Sequence, residues 1–324
     1  MRQEPAVPLD EFQKGVIAII SRNRGPRSPF AGGAVIQQHG FRLSVDQDIF
    51  AAGDLDELVR RDAASLEAAG YSVRTGRSFD GFRECMVMKP MIGTTTLQWT
   101  HGLIREFYAP VPDRQFGYRL HFADLAVNKA LAAGSRMKKR DFADLWMLDR
   151  HVMPLWRMAC AVPGKDPDFS PFALVEEISR NWHFAKLRDD DRLEVTIDIT
   201  IDEMGPGLRN SLHEARLILR DLGPECYGRL QVDDSGGPVT DRKIKEAGYW
   251  KAPRAGGALP AFADMDSEMI AGLIAEYGPE GCHHTGNPSA VAGFSGKDDE
   301  TGAVDPPKAD ARNQPEDSDS SPDI

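Results

Sequence analysis

Two kinds of apolar spacing divide the first half of the chain into predicted helices and strands. Helical spacing follows Asp10 in EFQKGVIAIIS, and a longer helix is predicted between Asp54, which fits an N-cap, and Gly70, which fits a C-terminal cap. A short helix is expected at residues 34–40, AVIQQHG. Strands rich in β-branched, aromatic and apolar residues are predicted at residues 42–50, 71–76, 82–89 and 94–101.

The second half of the chain is predicted to be mainly helical. Helices are expected at residues 124–133, 139–156, 172–182 and 208–222, with a strand at 193–201. A stretch rich in Pro, Gly and Asp separates a core, residues 1–162, from a helical C-terminal region, residues 163–285. Residues 286–324 contain few apolar residues and are predicted to form a disordered acidic tail. The order of elements predicts an α/β or α+β fold, with a mixed sheet flanked by helices.

Charge changes this picture only locally. The 324 residues carry a net charge of −11, but nine acids against three bases after residue 296 leave only about −5 for the rest. Four basic residues cluster between two predicted helices, namely Arg136, Lys138, Lys139 and Arg140. A locally positive surface on a mildly acidic protein can bind phosphate, so composition neither excludes nor favours RNA as a partner.

Neither a membrane anchor nor a disulfide framework is expected from the sequence. No apolar run approaches the roughly 20 residues that span a bilayer. The N-terminus lacks the basic and then apolar order of a signal peptide, so a cytoplasmic location is predicted. The four cysteines are widely spaced without a C-x-x-C motif, which indicates reduced thiols.

A pair of aspartates is the first candidate for chemistry. Asp46 and Asp48 lie two apart on a predicted strand, so their carboxylates point to the same face. Like charges this close favour a cation between them, and Mg²⁺ suits a few carboxylates together with substrate phosphates. Gly32 and Gly33, at a helix start, would let the backbone approach a phosphate. The same residues also fit a charged, half-exposed strand beside an ordinary turn, and both interpretations remain open.

A second polar segment lies on two predicted helices. Lys129 is placed within an otherwise apolar helix, where it could extend to solvent or reach a phosphate as a point charge. Asp141 and Asp144 are three apart on the next helix and share a face. An acid near a helix start also fits plain dipole stabilisation, so this segment alone does not decide between structure and function.

Taken together, the two segments resemble one family, the AbiEii/AbiGii-type nucleotidyltransferase toxins. The first match is Gly32-Gly33 followed by FRLSVDQDIF, residues 41–50, and the second runs from NKALA, residues 128–132, through Arg136 to RDFADL, residues 140–145. The resemblance implies the minimal nucleotidyltransferase fold and metal-dependent transfer of a nucleotide from an NTP to an acceptor. In members of that family the acceptor can be the 3′ end of tRNA, and an antitoxin encoded nearby holds the toxin in check.

The resemblance also implies roles for individual residues. Asp46 and Asp48 would hold Mg²⁺, and Asp141 would be a catalytic or positioning carboxylate. The remaining roles would be phosphate contact for Gly32, Gly33 and Lys129, nucleotide support for Arg42 and Ser44, and support of the site for Arg140 and Asp144.

Three departures from the family pattern stand out. Ala34 lacks the hydroxyl that many relatives carry after the two glycines, and Gln47 replaces an apolar residue, which predicts that this position is exposed. Residues 85–105 contain no acid, although such enzymes often use a further carboxylate there. Either Asp141 substitutes for it, or the metal shell is incomplete and activity is reduced. The alternatives are therefore transfer to a protein or small molecule, and a nucleotide-binding regulator without catalysis.

Overall fold

The protein is described by a computed structural model that covers residues 9–37, 42–102, 105–188, 193–195, 200–242 and 249–254. The predicted acidic tail, residues 286–324, lies outside this coverage. So do Gly40, the expected end of the short second helix, and residues 196–199 of the predicted strand at 193–201.

A mixed sheet of seven strands forms the centre of the described part of the chain. Its strands are β1 (Phe30–Ala31), β2 (Asp46–Ala51), β3 (Ser72–Phe79), β4 (Phe82–Lys89), β5 (Gly93–His101), β6 (Val111–Asp113) and β7 (Gly117–Arg119). They are ordered β3-β4-β5-β2-β1-β7-β6, with β2 parallel to β5 and β1 parallel to β7. A small antiparallel pair, β8 (Leu230–Val232) and β9 (Tyr249–Lys251), lies apart from it. The predicted mixed sheet flanked by helices is confirmed.

Helices account for most of the remaining described residues. They are α1 (Glu11–Ile20), α2 (Gly32–Ile36), α3 (Leu55–Ala68), α4 (Phe122–Ser135), α5 (Lys139–His151), α6 (Leu155–Lys165), α7 (Pro171–Lys186) and α8 (Ile201–Asp221). Asp10 and Asp54 cap α1 and α3, as predicted, because their carboxylates accept backbone N–H groups that the first helical turn leaves unpaired.

Two predicted elements are wrong in their boundaries. The single helix expected at residues 139–156 is two helices, because Pro154 disfavours a helical conformation at the residue before it. The Asp149 carboxylate accepts the backbone N–H of Leu155 at 2.8 Å and so stabilises the start of α6. The helix expected at 208–222 begins at Ile201, since Thr200 forms a capping box there, and Ile201 is therefore helical instead of the end of a strand.

The strand predicted at residues 42–50 also begins later, at Asp46. Arg42 instead forms an isolated antiparallel bridge with Val195. Gln47, predicted to be exposed, is fully buried. That prediction is wrong because alternation along β2 turns Gln47 toward the core with Ile49, where its Oε1 accepts a hydrogen bond from Thr95 Oγ1 at 3.1 Å.

The two faces of the sheet have different surroundings. Helices α1 and α3 contact the sheet, and side chains such as Ile17, Leu66, Val87, Leu97 and Trp99 are buried in the same core cluster. Because residues alternate between faces along a strand, Asp46 and Asp48 share the opposite face of β2 from Gln47 and Ile49. Helix α4 packs against α2, which itself packs on β2. The two aspartates are thereby placed close to the C-terminal half of α4 and the first turn of α5.

Helices on both sides of the predicted boundary near residue 163 pack together. Helix α4 contacts α6 and α7, and α8 contacts the same two helices. The division into residues 1–162 and 163–285 stays a prediction. None of the helices in the described ranges has the length and apolar character needed to cross a membrane.

Candidate active site

Asp46 and Asp48 project side by side from β2 and differ in their partners. Asp46 Oδ2 accepts a hydrogen bond from Arg140 Nη1 at 3.0 Å. The Asp48 carboxylate has no hydrogen bond or ion pair with any residue that the structure describes. Burial and the negative charge of Asp46 raise the pKa of Asp48 to about 6, although Lys129 acts in the opposite direction. The pair therefore favours an added positive charge.

Gly32 makes room for the Asp48 carboxylate. Its backbone is left-handed, with φ of +66°, and a Cβ at this position would lie 1.7 Å from Asp48 Oδ2. The neighbouring Gly33 is close to a second side chain, since a Cβ there would lie 2.5 Å from Arg42 Nη2. Both glycines, read from the sequence as a phosphate cradle, thus also permit charged side chains to approach the start of α2.

Lys129 is held between the two acids of α5. Its Nζ lies 2.9 Å from Asp141 Oδ1 and 2.9 Å from Asp144 Oδ2. Arg42 forms a two-pronged salt bridge with Asp144, at 2.6 and 2.7 Å, and Arg136 contacts both oxygens of Asp141, at 2.6 and 3.1 Å. Burial would raise the pKa of Asp141, but Lys129 and Arg136 hold it well below its usual range. The two acids are therefore ionised and fully engaged.

A cavity of about 360 Å³ lies between these two charged groups. Strands β2, β4 and β5 contribute Asp48, Phe50, Phe82, Gln98 and Thr100, while α2, α4 and the residue after it contribute Gly32, Ile36, Leu125, Asn128, Lys129, Ala132, Ser135 and Arg136. Its size and mixed lining fit a small ligand. An ammonium group has three N–H donors, so Lys129 keeps one for a ligand after bonding to the two acids.

The donor set fits a Mg²⁺ ion that a substrate helps to hold. Within the described ranges, no group of three or more His, Cys, Asp or Glu side chains could hold a metal ion. Two aspartates are present, and Asp48 has no basic partner among the described residues. Because Gly32 has no side chain, nothing at that position overlaps the Asp48 carboxylate. Mg²⁺ commonly binds one or two carboxylates, with waters and substrate phosphates completing its shell. Asp46 and Asp48 are thus suited to such an ion.

The structure brings most of the sequence-predicted residues into one region. Asp48, Lys129 and Gly32 line the same cavity, and Arg140 joins α5 to Asp46. Ser44 has a different local role, since its hydroxyl donates to the backbone oxygen of Asp46 at 3.0 Å and fastens the start of β2.

Several cavity residues were not among the site residues predicted from the sequence, although Asn128 and Arg136 belong to the second motif. On α4 these are Asn128, Ser135 and the following Arg136, and on the sheet they are Gln98 and Thr100. Helical spacing was a signal for the two residues of α4, because Ser135 lies seven residues after Asn128 and so on the same face. The presence of Gln98 and Thr100 in the cavity depends on the pairing of β5 with β2, and the sequence alone does not show which strands pair.

Comparison with known proteins identifies no family. No family model and no curated protein matches the sequence. Among solved structures, a predicted nucleotidyltransferase from H. pylori aligns with a TM-score of 0.41 and 17% identity, covering 66% of this chain and 99% of that one. MenT4, a nucleotidyltransferase toxin from Mycobacterium tuberculosis H37Rv, aligns with a TM-score of 0.37 and 15% identity, covering 63% and 91%. These values are too low to assign the chain to a family.

Proposed function

We propose that the protein is a Mg²⁺-dependent nucleotidyltransferase that moves a nucleotide from an NTP to an RNA acceptor such as the 3′ end of tRNA. The observation that carries this proposal is the cavity, which Asp48 lines on its strand side, with Asp46 two residues away on β2, and which Lys129 and Arg136 line on its helix side. A triphosphate with its metal ion carries both kinds of charge and requires both kinds of partner.

The strand side would bind the metal. Carboxylate oxygens of Asp46 and Asp48 would hold Mg²⁺, which when bound supplies charge neutralisation at the phosphate oxygens. Arg140 bonds to Asp46 and would keep that carboxylate in place. Ser44 would support the same site through the backbone of β2.

The helix side would bind the triphosphate. Lys129 would donate its remaining N–H to a phosphate oxygen, and the half-exposed Arg136 would contact a neighbouring one. Asp141 would act as the positioning carboxylate that holds both cations. Asp144, which is bonded to Arg42, would hold the Lys129 ammonium group in place through its own salt bridge.

The turn at Gly32 and Gly33 would lie beside the phosphates, as the family motif implies. In the transfer, an RNA hydroxyl oxygen would form a bond to the α-phosphorus and its proton would pass to water. The bond from that phosphorus to the bridging oxygen would break, and pyrophosphate would leave with the electron pair.

Charge near the cavity supports a nucleic-acid acceptor. Four basic residues lie at the junction of α4 and α5, and the first of them lines the cavity: Arg136, Lys138, Lys139 and Arg140. Such a patch attracts a phosphate backbone on an otherwise acidic protein. The two sequence motifs add the proposal that the protein is a cytoplasmic toxin restrained by an antitoxin encoded nearby.

Nucleotide transfer can be measured directly. Purified protein is incubated with total tRNA, Mg²⁺ and each of the four α-labelled NTPs. Wild type is expected to label tRNA, and Asp48→Ala is expected to abolish labelling. Asp56→Asn, which removes an exposed acid on α3, serves as the matched control and should retain activity. Absence of label in any RNA with every NTP would refute the RNA-transfer proposal.

Two alternatives have distinct outcomes in the same assay. Label in a protein or small molecule from a lysate would redirect the proposal to another acceptor. Metal-dependent NTP binding without any labelled product would establish a nucleotide-binding regulator, which the small number of acids at the cavity favours. Growth arrest on expression, relieved by co-expression of the neighbouring gene, would test the toxin role separately.

A further inference from the structure

A row of three polar residues crosses the sheet beside the cavity. Asp48 on β2 is paired with Gln98 on the parallel strand β5, and Gln98 is paired with Glu84 on the antiparallel strand β4. Directly paired residues on neighbouring strands point to the same face and lie about 5 Å apart. Glu84 is therefore two strands away from the aspartate, with Gln98 between them.

The orientation of the Gln98 amide is fixed by Glu84. Gln98 Nε2 donates a hydrogen bond to Glu84 Oε2 at 3.1 Å. An ionised carboxylate can only accept, so the amide must turn its nitrogen, and not its oxygen, toward β4. Arg77 donates to both oxygens of Glu84, from Nε to Oε1 at 3.1 Å and from Nη2 to Oε2 at 2.6 Å. The carboxylate of Glu84 is thus paired with a cation and held in the position in which it accepts from Gln98 Nε2.

The carbonyl oxygen of Gln98 is then left on the side of the amide away from Glu84. Gln98 and Asp48 line the same cavity. Within the described residues, no donor bonds to the Gln98 carbonyl oxygen. Two oxygen acceptors that face one space without a donor between them are suited to a cation.

We propose that Gln98 supplies a third protein oxygen to the cation site of Asp46 and Asp48, and that Glu84 is the positioning residue that orients its amide. This inference rests on the proposed function, because it names a further ligand of the same metal site. It also explains how the site works without an acid on β5. A neutral oxygen completes the shell while the protein contributes two negative charges, so a bound divalent cation leaves no excess negative charge to repel a triphosphate.

Binding of Mn²⁺ to the full-length, nucleotide-free protein tests the inference without relying on activity. Gln98→Met keeps the length of the side chain but removes the oxygen, and is expected to weaken Mn²⁺ binding about tenfold. Gln98→Glu adds a charged oxygen and should tighten it. Glu84→Gln, which frees the amide to rotate, should weaken it by a smaller factor. Thr94→Val, on the same face of β5 but two residues beyond the position paired with Asp46, is the matched control and should bind normally.

The outcomes separate this inference from the proposed function. Two results would refute both the proposed metal site and the role of Gln98: wild type that binds no Mn²⁺, or Asp48→Asn that binds it normally. If Asp48→Asn abolishes binding while Gln98→Met binds as wild type does, the inference alone is overturned. Circular dichroism verifies that each variant is folded. Should Gln98→Met be misfolded, unchanged affinity in both Gln98→Glu and Glu84→Gln would overturn the inference instead.

Discussion

Replacing Gly32 with alanine tests whether the turn before α2 exists to admit the Asp48 carboxylate. The added Cβ would lie 1.7 Å from Asp48 Oδ2, 2.6 Å from its Cγ and 2.8 Å from its Cβ. Because even the Asp48 Cβ is too close, a change of side-chain rotamer does not relieve the overlap. Strands β1 and β2, which pair Ala31 with Asp48, must move apart.

Gly70 provides a matched control for the backbone conformation. Both glycines are left-handed, with φ of +66° at Gly32 and +79° at Gly70, but a Cβ at Gly70 meets nothing within 4 Å. Alanine in this conformation costs about 1–2 kcal/mol at either position. The forced overlap at Gly32 adds about 1–3 kcal/mol. For a protein of this size, each kcal/mol lowers Tm by about 2–4 °C, so Gly32→Ala should unfold several degrees below Gly70→Ala.

Thermal unfolding and a Mn²⁺ titration together measure the effect. Gly70→Ala should lose a little stability and keep wild-type Mn²⁺ binding. Gly32→Ala should lose more stability and bind Mn²⁺ weakly, because Asp48 is displaced. Equal Tm values for the two variants, with Mn²⁺ binding intact in both, would refute the close contact between Gly32 and Asp48.

Two further predictions concern buried charges. Asp144→Asn removes the acid between Arg42 and Lys129, and the uncompensated positive charge should lower the free energy of unfolding by about 3–5 kcal/mol in urea titrations. An unchanged urea midpoint would contradict this. Burial beside Asp124 raises the pKa of Glu106 to about 8, so the folded protein keeps a proton that the unfolded chain loses near its ordinary pKa of about 4.5. Stability should therefore fall as pH rises from about 5 to 8, and Glu106→Gln should flatten that decline in Tm; a decline of the same slope in the variant would assign it to other groups.

Features that depend on neighbouring residues in the sequence were predictable. Asp10 and Asp54 were identified as caps because a cap and the N–H groups it accepts lie within three residues. The break before Pro154 was missed, since the apolar spacing continues across it. Strands as short as Phe30–Ala31 were also missed, because two residues show no alternation.

In the candidate site, too, only features set by residues close in the sequence could be predicted. Asp46 and Asp48 share a face by strand geometry alone, and this could be read directly. The salt bridge of Arg42 with Asp144 joins residues 102 positions apart, and the contact of Gln98 with Glu84 depends on the register of β4 and β5. Such contacts are set by tertiary packing, on which one sequence carries no direct information.

Asp48 and Asp141, one from each motif, have different surroundings, and this difference indicates which of them is suited to bind a metal ion. Both oxygens of Asp141 are taken by Lys129 and Arg136. An acid so engaged would have to release a buried cation before it could bind a metal, at a cost of several kcal/mol. Asp48 would release nothing, because it has no basic partner among the described residues. Asp141 is therefore better suited to hold cations against a triphosphate than to replace the missing acid of β5, and a neutral oxygen such as that of Gln98 is the better candidate for that position.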